Sequence, residues 1–241
     1  MSEKIDIITF AENYFTNVNL DRGAGIIKLY PAQKRILKRI SNNRLNAIRF
    51  PRQCGKTTLL NIYALWNCIT KNGCNVVITT NTSEHASCSL KGIKLAYDNL
   101  PHFLKCGVLR YGKDCGILRY GKDGIVFDNL SSIKFISKTS LDSNIRGLRP
   151  DVLLVDEGSF YTDDELESLY PLFTCSNVSI FSTGKISKSR FLNKIHKNKR
   201  KTVWRKAKMR WQDVPHRDEK WKNAMIKCVG GESHFEEEFE V

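Results

Sequence analysis

Residues 50–58, Phe-Pro-Arg-Gln-Cys-Gly-Lys-Thr-Thr, constrain the fold more than any other segment. An apolar run, Leu45–Phe50, precedes the loop, and an apolar helical pattern over 59–66 follows it. A strand, a tight loop ending in Gly-Lys-Thr and a helix form the arrangement that holds nucleotide phosphates. Lys56 would reach the β- and γ-phosphates, and the Thr57 hydroxyl would bind Mg²⁺. Phe50 replaces the usual first glycine, so the segment alone also fits an ordinary strand–helix loop.

A second signal follows at the expected distance along the chain. Residues 152–157, Val-Leu-Leu-Val-Asp-Glu, form an apolar run that ends in two carboxylates. Such a run predicts a strand buried on both faces, and open α/β sheets bind ligands at the carboxyl ends of their strands. Asp156 would hold the Mg²⁺ water shell, and Glu157 would polarise the attacking water. The alternative is a buried strand that runs into an acidic turn; the preceding Gly-Lys-Thr loop, in the right order, argues against it.

Length and composition indicate one large α/β domain with a small appendage. The chain has 241 residues, a formal net charge of +14 and eight cysteines without a C-x-x-C pair. The cysteines predict reduced thiols, with neither a zinc site nor a disulfide framework. No apolar stretch reaches transmembrane length and the N-terminus is not a signal peptide, so we expect an intracellular protein without a membrane partner.

The positive charge is concentrated in one segment. Residues 185–210 contain twelve lysines and arginines and no acid, whereas residues 232–240 include five glutamates. A basic run of this length predicts a polyanionic partner such as nucleic acid. A solvated helix face is the alternative that the sequence leaves open.

Alternating apolar strands and amphipathic helices predict a P-loop NTPase fold with a mainly parallel, twisted sheet and helices on both faces. We expect an ATPase core over 1–200, beginning with a helical segment over 1–20, and a small C-terminal subdomain over 201–241. Asn81 with Glu84 predicts a capping box for the helix that follows. Helices are also predicted over 162–170, 187–199 and 218–228, a hairpin over 125–137, and a strand over 202–211.

Residues 106–114 and 115–123 are a tandem nonapeptide, Cys-Gly-Val/Ile-Leu-Arg-Tyr-Gly-Lys-Asp. Two copies do not make a solenoid, so a duplication inside a surface loop or hairpin is the better interpretation. A nucleic-acid contact through its Arg and Tyr side chains is the alternative.

Five further residues, in three segments, are candidates for nucleotide contacts. Tyr30 and Gln33 precede the phosphate loop by about one helix, and a Gln amide can both donate to and accept from adenine. Ser182 and Thr183 end the next apolar run and could sense the γ-phosphate. Arg146, upstream of the acidic strand, could stabilise transition-state charge at a neighbouring nucleotide. An ordinary structural role remains the alternative for each.

These motifs, in this order along the chain, resemble the ATPase domain of the terminase large subunit of tailed phages, the T-even type most closely. The resemblance covers nearly the whole chain. It rests on the phosphate loop with its Arg-Gln variant, the adenine motif at 30–33, the Ile-Arg-Gly loop at 145–147, the acidic strand, the Ser-Thr-Gly motif at 182–184, and the segments at 211–221 and 235–240.

The resemblance implies a packaging motor that uses ATP and Mg²⁺ to drive double-stranded DNA into a procapsid. It implies a homo-oligomeric ring, a pentamer, on the portal protein in the host cell cytoplasm, together with a small terminase subunit. Lys56, Thr57, Asp156 and Glu157 take the roles given above, and Arg52 and Arg146 match arginines proposed to act in cis and toward the adjacent subunit. The remaining loop positions expected at the nucleotide are Gln53, Cys54, Gly55 and Thr58.

The chain departs from the family in three respects. Its Ser-Thr-Gly motif at 182–184 replaces a more Thr-rich version, and the tandem nonapeptide is not a family feature. The third departure is at the C-terminal end. Terminase large subunits usually continue into an RNase H-type nuclease domain, whereas this sequence stops at Val241. We therefore expect no DNA cleavage by this chain, and a separate nuclease chain is a candidate partner.

Two other functions compete with the motor. A superfamily-two helicase or translocase combines similar motifs, but it needs a second motor lobe for which this length leaves no room. A non-catalytic DNA-binding or assembly module is the other, and the presence of both Lys56 and Glu157 disfavours it.

Overall fold

The structure is a computed structural model. It describes residues 5–19, 23–105, 117–121, 124–141, 145, 147–184, 189–197 and 203–241, with the backbone alone at 19, 117–121 and 140.

A mostly parallel sheet forms the centre of the described chain. Its strands, in chain order, are β3 (Leu45–Phe50), β4 (Asn75–Thr80), β5 (Ile117–Gly121), β6 (Gly124–Phe127), β7 (Ser132–Ser137), β8 (Val152–Val155), β9 (Asn177–Thr183) and β10 (Arg205–Lys208). The spatial order is β10-β3-β9-β8-β4-β7-β6-β5. Pairs from β10 to β7 are parallel, and β6 and β5 add antiparallel strands at one edge. Strands β1 (Thr16–Asn19) and β2 (Gly23–Ile26) form a separate hairpin.

Helices cover both faces of this sheet. They are α1 (Ile7–Tyr14), α2 (Pro31–Asn42), α3 (Lys56–Thr70), α4 (Ser83–Asp98), α5 (Asp163–Glu167), α6 (Tyr170–Phe173), α7 (Arg190–Lys197), α8 (Glu219–Cys228) and α9 (Glu232–Phe239). Apolar side chains of α1 to α4 share one core with Leu154, whereas those of α5 to α7 share a second core with Leu153 and Val155. Alternate residues of β8 therefore enter opposite cores, which confirms the predicted two-sided α/β sheet.

The C-terminal residues form a third, smaller core. Trp211, Phe235 and Phe239 are buried together and pack against Trp221 and neighbouring apolar side chains of α8. We call this the C-terminal cluster. Strand β10 is not part of it, because β10 pairs with β3 in the main sheet. The proposed C-terminal subdomain over 201–241 thus includes one strand of the main sheet, and the separate core begins at Trp211.

Several predicted elements differ in extent. The helix expected over 1–20 ends at Tyr14, and Thr16–Asn19 is a strand. The predicted strand over 202–211 is only β10, and the basic helix over 187–199 is α7. The helix over 162–170 is divided into α5 and α6. The hairpin over 125–137 is confirmed by β6 and β7.

The predicted cap of α4 is wrong by one residue. Thr82, not Asn81, is the N-cap, and its hydroxyl accepts a hydrogen bond from the His85 amide at 3.2 Å. Of the tandem nonapeptide, 106–116 and 122–123 lie outside the described residues, and 117–121 form the edge strand β5. Among the helices described, none is long and apolar enough to cross a membrane.

Candidate active site

The loop between β3 and α3 has two residues in the left-handed backbone region. Gln53 has φ 57° and Gly55, the N-cap of α3, has φ 77°. A Cβ atom on Gly55 would lie 2.7 Å from Gln33 Nε2, so a side chain there would be strained and would displace the Gln33 amide. The loop thus leads directly into the N-terminus of a fifteen-residue helix, where free amides and the helix dipole favour an anion.

Four predicted side chains meet where β3, β9 and β8 end. Lys56 Nζ lies 2.9 Å from Asp156 Oδ1, and it also forms an ion pair with Glu157. It lies 3.2 Å from Thr183 Oγ1, which donates a hydrogen bond of 2.6 Å to Glu157 Oε2. Because these three strands are parallel neighbours, their carboxyl ends share one edge of the sheet. We call Lys56, Asp156, Glu157 and Thr183 the lysine–carboxylate cluster.

Local backbone geometry sets the direction of the Glu157 side chain. Glu157 follows Asp156, the first residue after β8, and has φ 55°, an uncommon conformation for a residue with a side chain. The turn is tied to β9 by Ser159, whose hydroxyl donates to the Thr183 carbonyl at 3.2 Å. Ser182 is buried, and its Oγ would lie 3.2 Å from a Cβ on Gly158. Of the predicted pair Ser182 and Thr183, only Thr183 belongs to the lysine–carboxylate cluster.

Asp156 has the chemistry of a Mg²⁺ ligand. Its side chain is buried, and burial raises its pKa in opposition to the nearby Lys56. Its Oδ1 lies 2.9 Å from Lys56 Nζ in the ion pair described above. Thr57 lies exposed in the first turn of α3, beside Lys56. Mg²⁺ usually takes one or two protein oxygens and completes its shell with water and phosphate oxygens, so these residues fit the ion.

Gln33 contacts the phosphate loop directly. Its Oε1 accepts a hydrogen bond from the Tyr30 amide at 3.0 Å, and its Nε2 donates to the Cys54 carbonyl at 3.0 Å. The side chain is buried. An amide group retains one further hydrogen and one further lone pair for another partner. Recognition of adenine by Tyr30 and Gln33 stays a prediction.

The other loop positions divide between core and surface. Cys54 is buried, and its pKa is raised to about 11 by burial, so its sulfur is a thiol at neutral pH. Thr58 is half-buried in the first turn of α3. Arg52 is exposed and points to the C-terminal helix, where it pairs with Glu238. Arg146 lies outside the described residues.

Sequence reasoning gave no role to two residues that contact this loop. Arg217 Nη2 donates to the Gln53 carbonyl at 3.0 Å, and the Glu238 carbonyl accepts from the Arg52 amide at 3.1 Å. Both belong to segments that the resemblance had covered without assigning functions. The sequence feature that could have indicated such a contact is charge, because Glu238 belongs to an acidic tail in a strongly basic chain.

The fold is the mostly parallel α/β sheet of P-loop NTPases, and the candidate site is a Lys–carboxylate centre at the carboxyl edge of that sheet. No protein-family profile matches the sequence. Solved structures with the same fold include the large terminase of bacteriophage HK97, with a TM-score of 0.72 and 16% identity over 100% of this chain and 55% of that one. The ATPase domain of the Thermus phage P74-26 large terminase gives a TM-score of 0.65 and 14% identity over 88% and 92%.

The large terminase of the thermophilic bacteriophage D6E, in complex with ADP, gives a TM-score of 0.62 at 13% identity over 89% of this chain and 54% of that one. The present chain thus spans about half the length of the HK97 and D6E terminases. The UvsW helicase of bacteriophage T4 is less similar, with a TM-score of 0.54 and 13% identity over 85% and 67%. At these identities the comparisons establish the fold.

Proposed function

We propose that this chain is the ATPase motor domain of a viral terminase large subunit, which hydrolyses ATP to move double-stranded DNA into a procapsid. The observation that carries the proposal is the lysine–carboxylate cluster at the edge where three parallel strands end. Its residue types are those that bind phosphate and orient the attacking water in phosphoryl transfer. The shared fold with terminase ATPase domains supports a packaging motor among the possible ATPases.

Lys56 has two alternative sets of anionic partners in this scheme. In the structure it pairs with Asp156 and Glu157. The phosphates of ATP would compete for the same ammonium group, and Glu157 would then be released to accept a hydrogen bond from the attacking water. Mg²⁺ held by Asp156 and Thr57 would neutralise charge on the phosphates.

Thr183 connects this chemistry to the rest of the domain. Its hydroxyl contacts both Glu157 and Lys56, so departure of the γ-phosphate changes its partners. Strand β9 ends at Thr183, and the chain continues into the basic segment 185–210. We suggest that a shift of this segment moves bound DNA through phosphate contacts, which carry little sequence information and suit a motor that moves any sequence.

The assembly around the motor follows from the same proposal. Arg52 would act in cis and Arg146 toward the adjacent subunit of a pentameric ring on the portal. A small terminase subunit and a separate nuclease chain are the other proposed partners, in the host cell cytoplasm. Arg52 now pairs with Glu238, so that ion pair must open before Arg52 can contact a phosphate.

The decisive experiment is ATP hydrolysis by the purified chain, with and without double-stranded DNA. Lys56→Ala and Glu157→Gln should each abolish turnover. Lys91→Ala and Glu219→Gln, at exposed positions of α4 and α8, are the matched controls and should keep it. Stimulation by DNA would favour the motor over a generic NTPase, whereas absence of both turnover and ATP binding would refute the enzyme.

A helicase-like translocase is the second candidate, because the T4 UvsW helicase shares the fold at a TM-score of 0.54. Displacement of one strand from a forked duplex, dependent on ATP, would favour it. Binding of DNA and ATP without turnover, also in the presence of a portal ring, would instead favour a non-catalytic assembly module.

A further inference from the structure

Arg217 contacts the phosphate loop from the side of the C-terminal cluster. Its Nη2 donates to the Gln53 carbonyl at 3.0 Å, and its Nη1 lies 3.4 Å from the Arg52 carbonyl and 3.3 Å from Cys54 Sγ. A planar guanidinium can serve several acceptors at once in a fixed geometry. One side chain therefore holds two successive carbonyl groups of the loop.

Gln33 extends this arrangement by one residue, since its Nε2 donates to the Cys54 carbonyl at 3.0 Å. Three successive carbonyl oxygens, those of residues 52, 53 and 54, thus accept hydrogen bonds from side chains outside the loop. A peptide group is planar and trans, so its C=O and N–H point in opposite directions. Fixing these carbonyls toward Arg217 and Gln33 turns the following amides away from them, as an anion-binding loop requires.

The position of Arg217 is itself fixed by aromatic packing. Its guanidinium lies 4.4 Å from the centre of the Trp221 ring, within the range of a cation–π contact. Trp221 packs at 5.6 Å from Trp211 and 5.5 Å from Phe239. The same cluster also touches the loop through Glu238, which accepts from the Arg52 amide. Arg217 is thus mounted on a packed core that is separate from the two cores of the sheet.

We propose that Arg217 is a positioning residue for the nucleotide. It orients the phosphate loop by donating hydrogen bonds to the carbonyl groups of the loop, and it thereby makes nucleotide affinity depend on the C-terminal cluster. This inference rests on the proposed nucleotide-binding function. It explains how a loop without its first glycine, where Phe50 stands, keeps a defined conformation. In this proposal Arg217 acts through the loop carbonyls, not by contact with the reacting atoms.

The test is the affinity of the purified chain for N-methylanthraniloyl-ADP, measured by fluorescence with Mg²⁺ present. Arg217→Gln should weaken binding by about tenfold or more, because charge-assisted hydrogen bonds are lost from the loop. Arg217→Lys keeps the charge and the aliphatic part of the side chain but loses the planar guanidinium group, so it should recover only part of the affinity. Arg39→Gln, at an exposed position of α2, is the control and should bind as the wild type does.

Two further measurements separate positioning from general destabilisation. Added guanidinium ion should restore the nucleotide affinity of Arg217→Gln but leave that of the Arg39→Gln control unchanged. The unfolding temperature without nucleotide should change little. If Arg217→Gln fails to fold, the affinity of Arg217→Lys provides the test instead. Wild-type affinity in the folded Gln or Lys variant would overturn this inference alone. A wild-type chain that binds no nucleotide would instead refute the proposed function, and this inference with it.

Discussion

At the scale of single residues, Thr183 is the link between the site and strand β9. Its hydroxyl donates to Glu157 at 2.6 Å and accepts from Lys56 Nζ at 3.2 Å. A residue that only filled space would not require this hydroxyl. The chemistry of the side chain, not its volume, is therefore the testable property.

Thr183→Val keeps the shape of the side chain and removes the hydroxyl. We expect kcat for ATP hydrolysis to fall by about tenfold or more, because Glu157 loses the hydrogen bond that orients it, while nucleotide affinity changes little. Thr183→Ser should restore most of the rate. The comparison requires steady-state kinetics and the same nucleotide titration; an unchanged kcat in the valine variant would exclude an orienting role.

The residues of this site were predictable because each one follows a strong local pattern. Lys56 belongs to a Gly-Lys-Thr loop, and Asp156 and Glu157 directly follow the unbroken apolar run of β8. Arg217 was not predictable as a loop contact, because it lies 164 residues from Gln53 and meets it only after the chain folds back. The N-cap of α4 was mispredicted for a local reason. Asn81 and Thr82 are both good N-cap residues, so local propensity alone did not decide between them.

At the scale of elements, the packing of α9 on the end of β9 depends on a glycine. Gly184 has φ 61°, and a Cβ atom there would lie 2.0 Å from the Glu237 carbonyl oxygen. Its own carbonyl accepts from Arg49 Nη2 at 3.1 Å, so the backbone is held from two sides. Neither the conformation nor the space admits a side chain.

Gly184→Ala should therefore destabilise the fold by about 2 kcal/mol or more, through backbone strain and displacement of α9. Urea unfolding followed by circular dichroism measures the difference. Gly25→Ala is the control, because no atom lies within 4 Å of its Cβ position and its backbone is extended. A change in unfolding free energy no larger than that of the control would contradict the contact with α9.

Helix α7 has a pH-dependent contact with the sheet. Burial, together with Arg49 and Lys206, lowers the pKa of His196 from 6.5 to about 4. The folded state keeps His196 neutral where the unfolded chain binds a proton, so its stabilising contribution is present at neutral pH and is lost as the pH falls through this range. Leu192 and Ile195 are the buried side chains that hold the same helix in the second core.

His196→Asn should remove this dependence. Between about pH 7 and pH 5 we expect the wild type to lose about 1 kcal/mol more stability than the variant, after allowing for the partial exposure of the ring. Other titrating groups, including Asp156, are common to both proteins and cancel in the difference. Urea unfolding at each pH provides the data, and His85→Asn, exposed on α4, should retain the wild-type slope.

At the scale of the whole molecule, sequence patterns predicted the layers of the fold better than its edges. Apolar strands such as β8 are unmistakable because both faces are buried. Strand β10, Arg-Lys-Ala-Lys, is basic and half-exposed, and only its pairing with β3 assigns it to the main sheet. No helix was predicted over the glutamate-rich tail, although Phe235 and Phe239 anchor α9 beside the phosphate loop.

The charge distribution gives a prediction for the complete domain. The chain carries a net charge of +14, and α7 with β10 belongs to its most basic segment. If this segment binds DNA phosphates, double-stranded DNA affinity should fall steeply with salt concentration, by a slope of about 0.9 in logarithmic units for each phosphate contacted. Lys194→Gln with Lys197→Gln, both exposed on α7, should reduce that slope by about 2 and weaken binding equally for unrelated DNA sequences.

The matched control removes the same charge from another helix. Lys220→Gln with Lys227→Gln, exposed on α8, lowers the net charge equally but leaves the segment 185–210 intact. Fluorescence anisotropy of a labelled duplex over a salt series gives both slopes. If binding depended only on net charge, the salt dependence of DNA affinity would decrease by the same amount in the two double variants. A loss confined to the α7 variant would locate the DNA contact on the helix that follows Thr183 along the chain, as a motor driven from the nucleotide site requires.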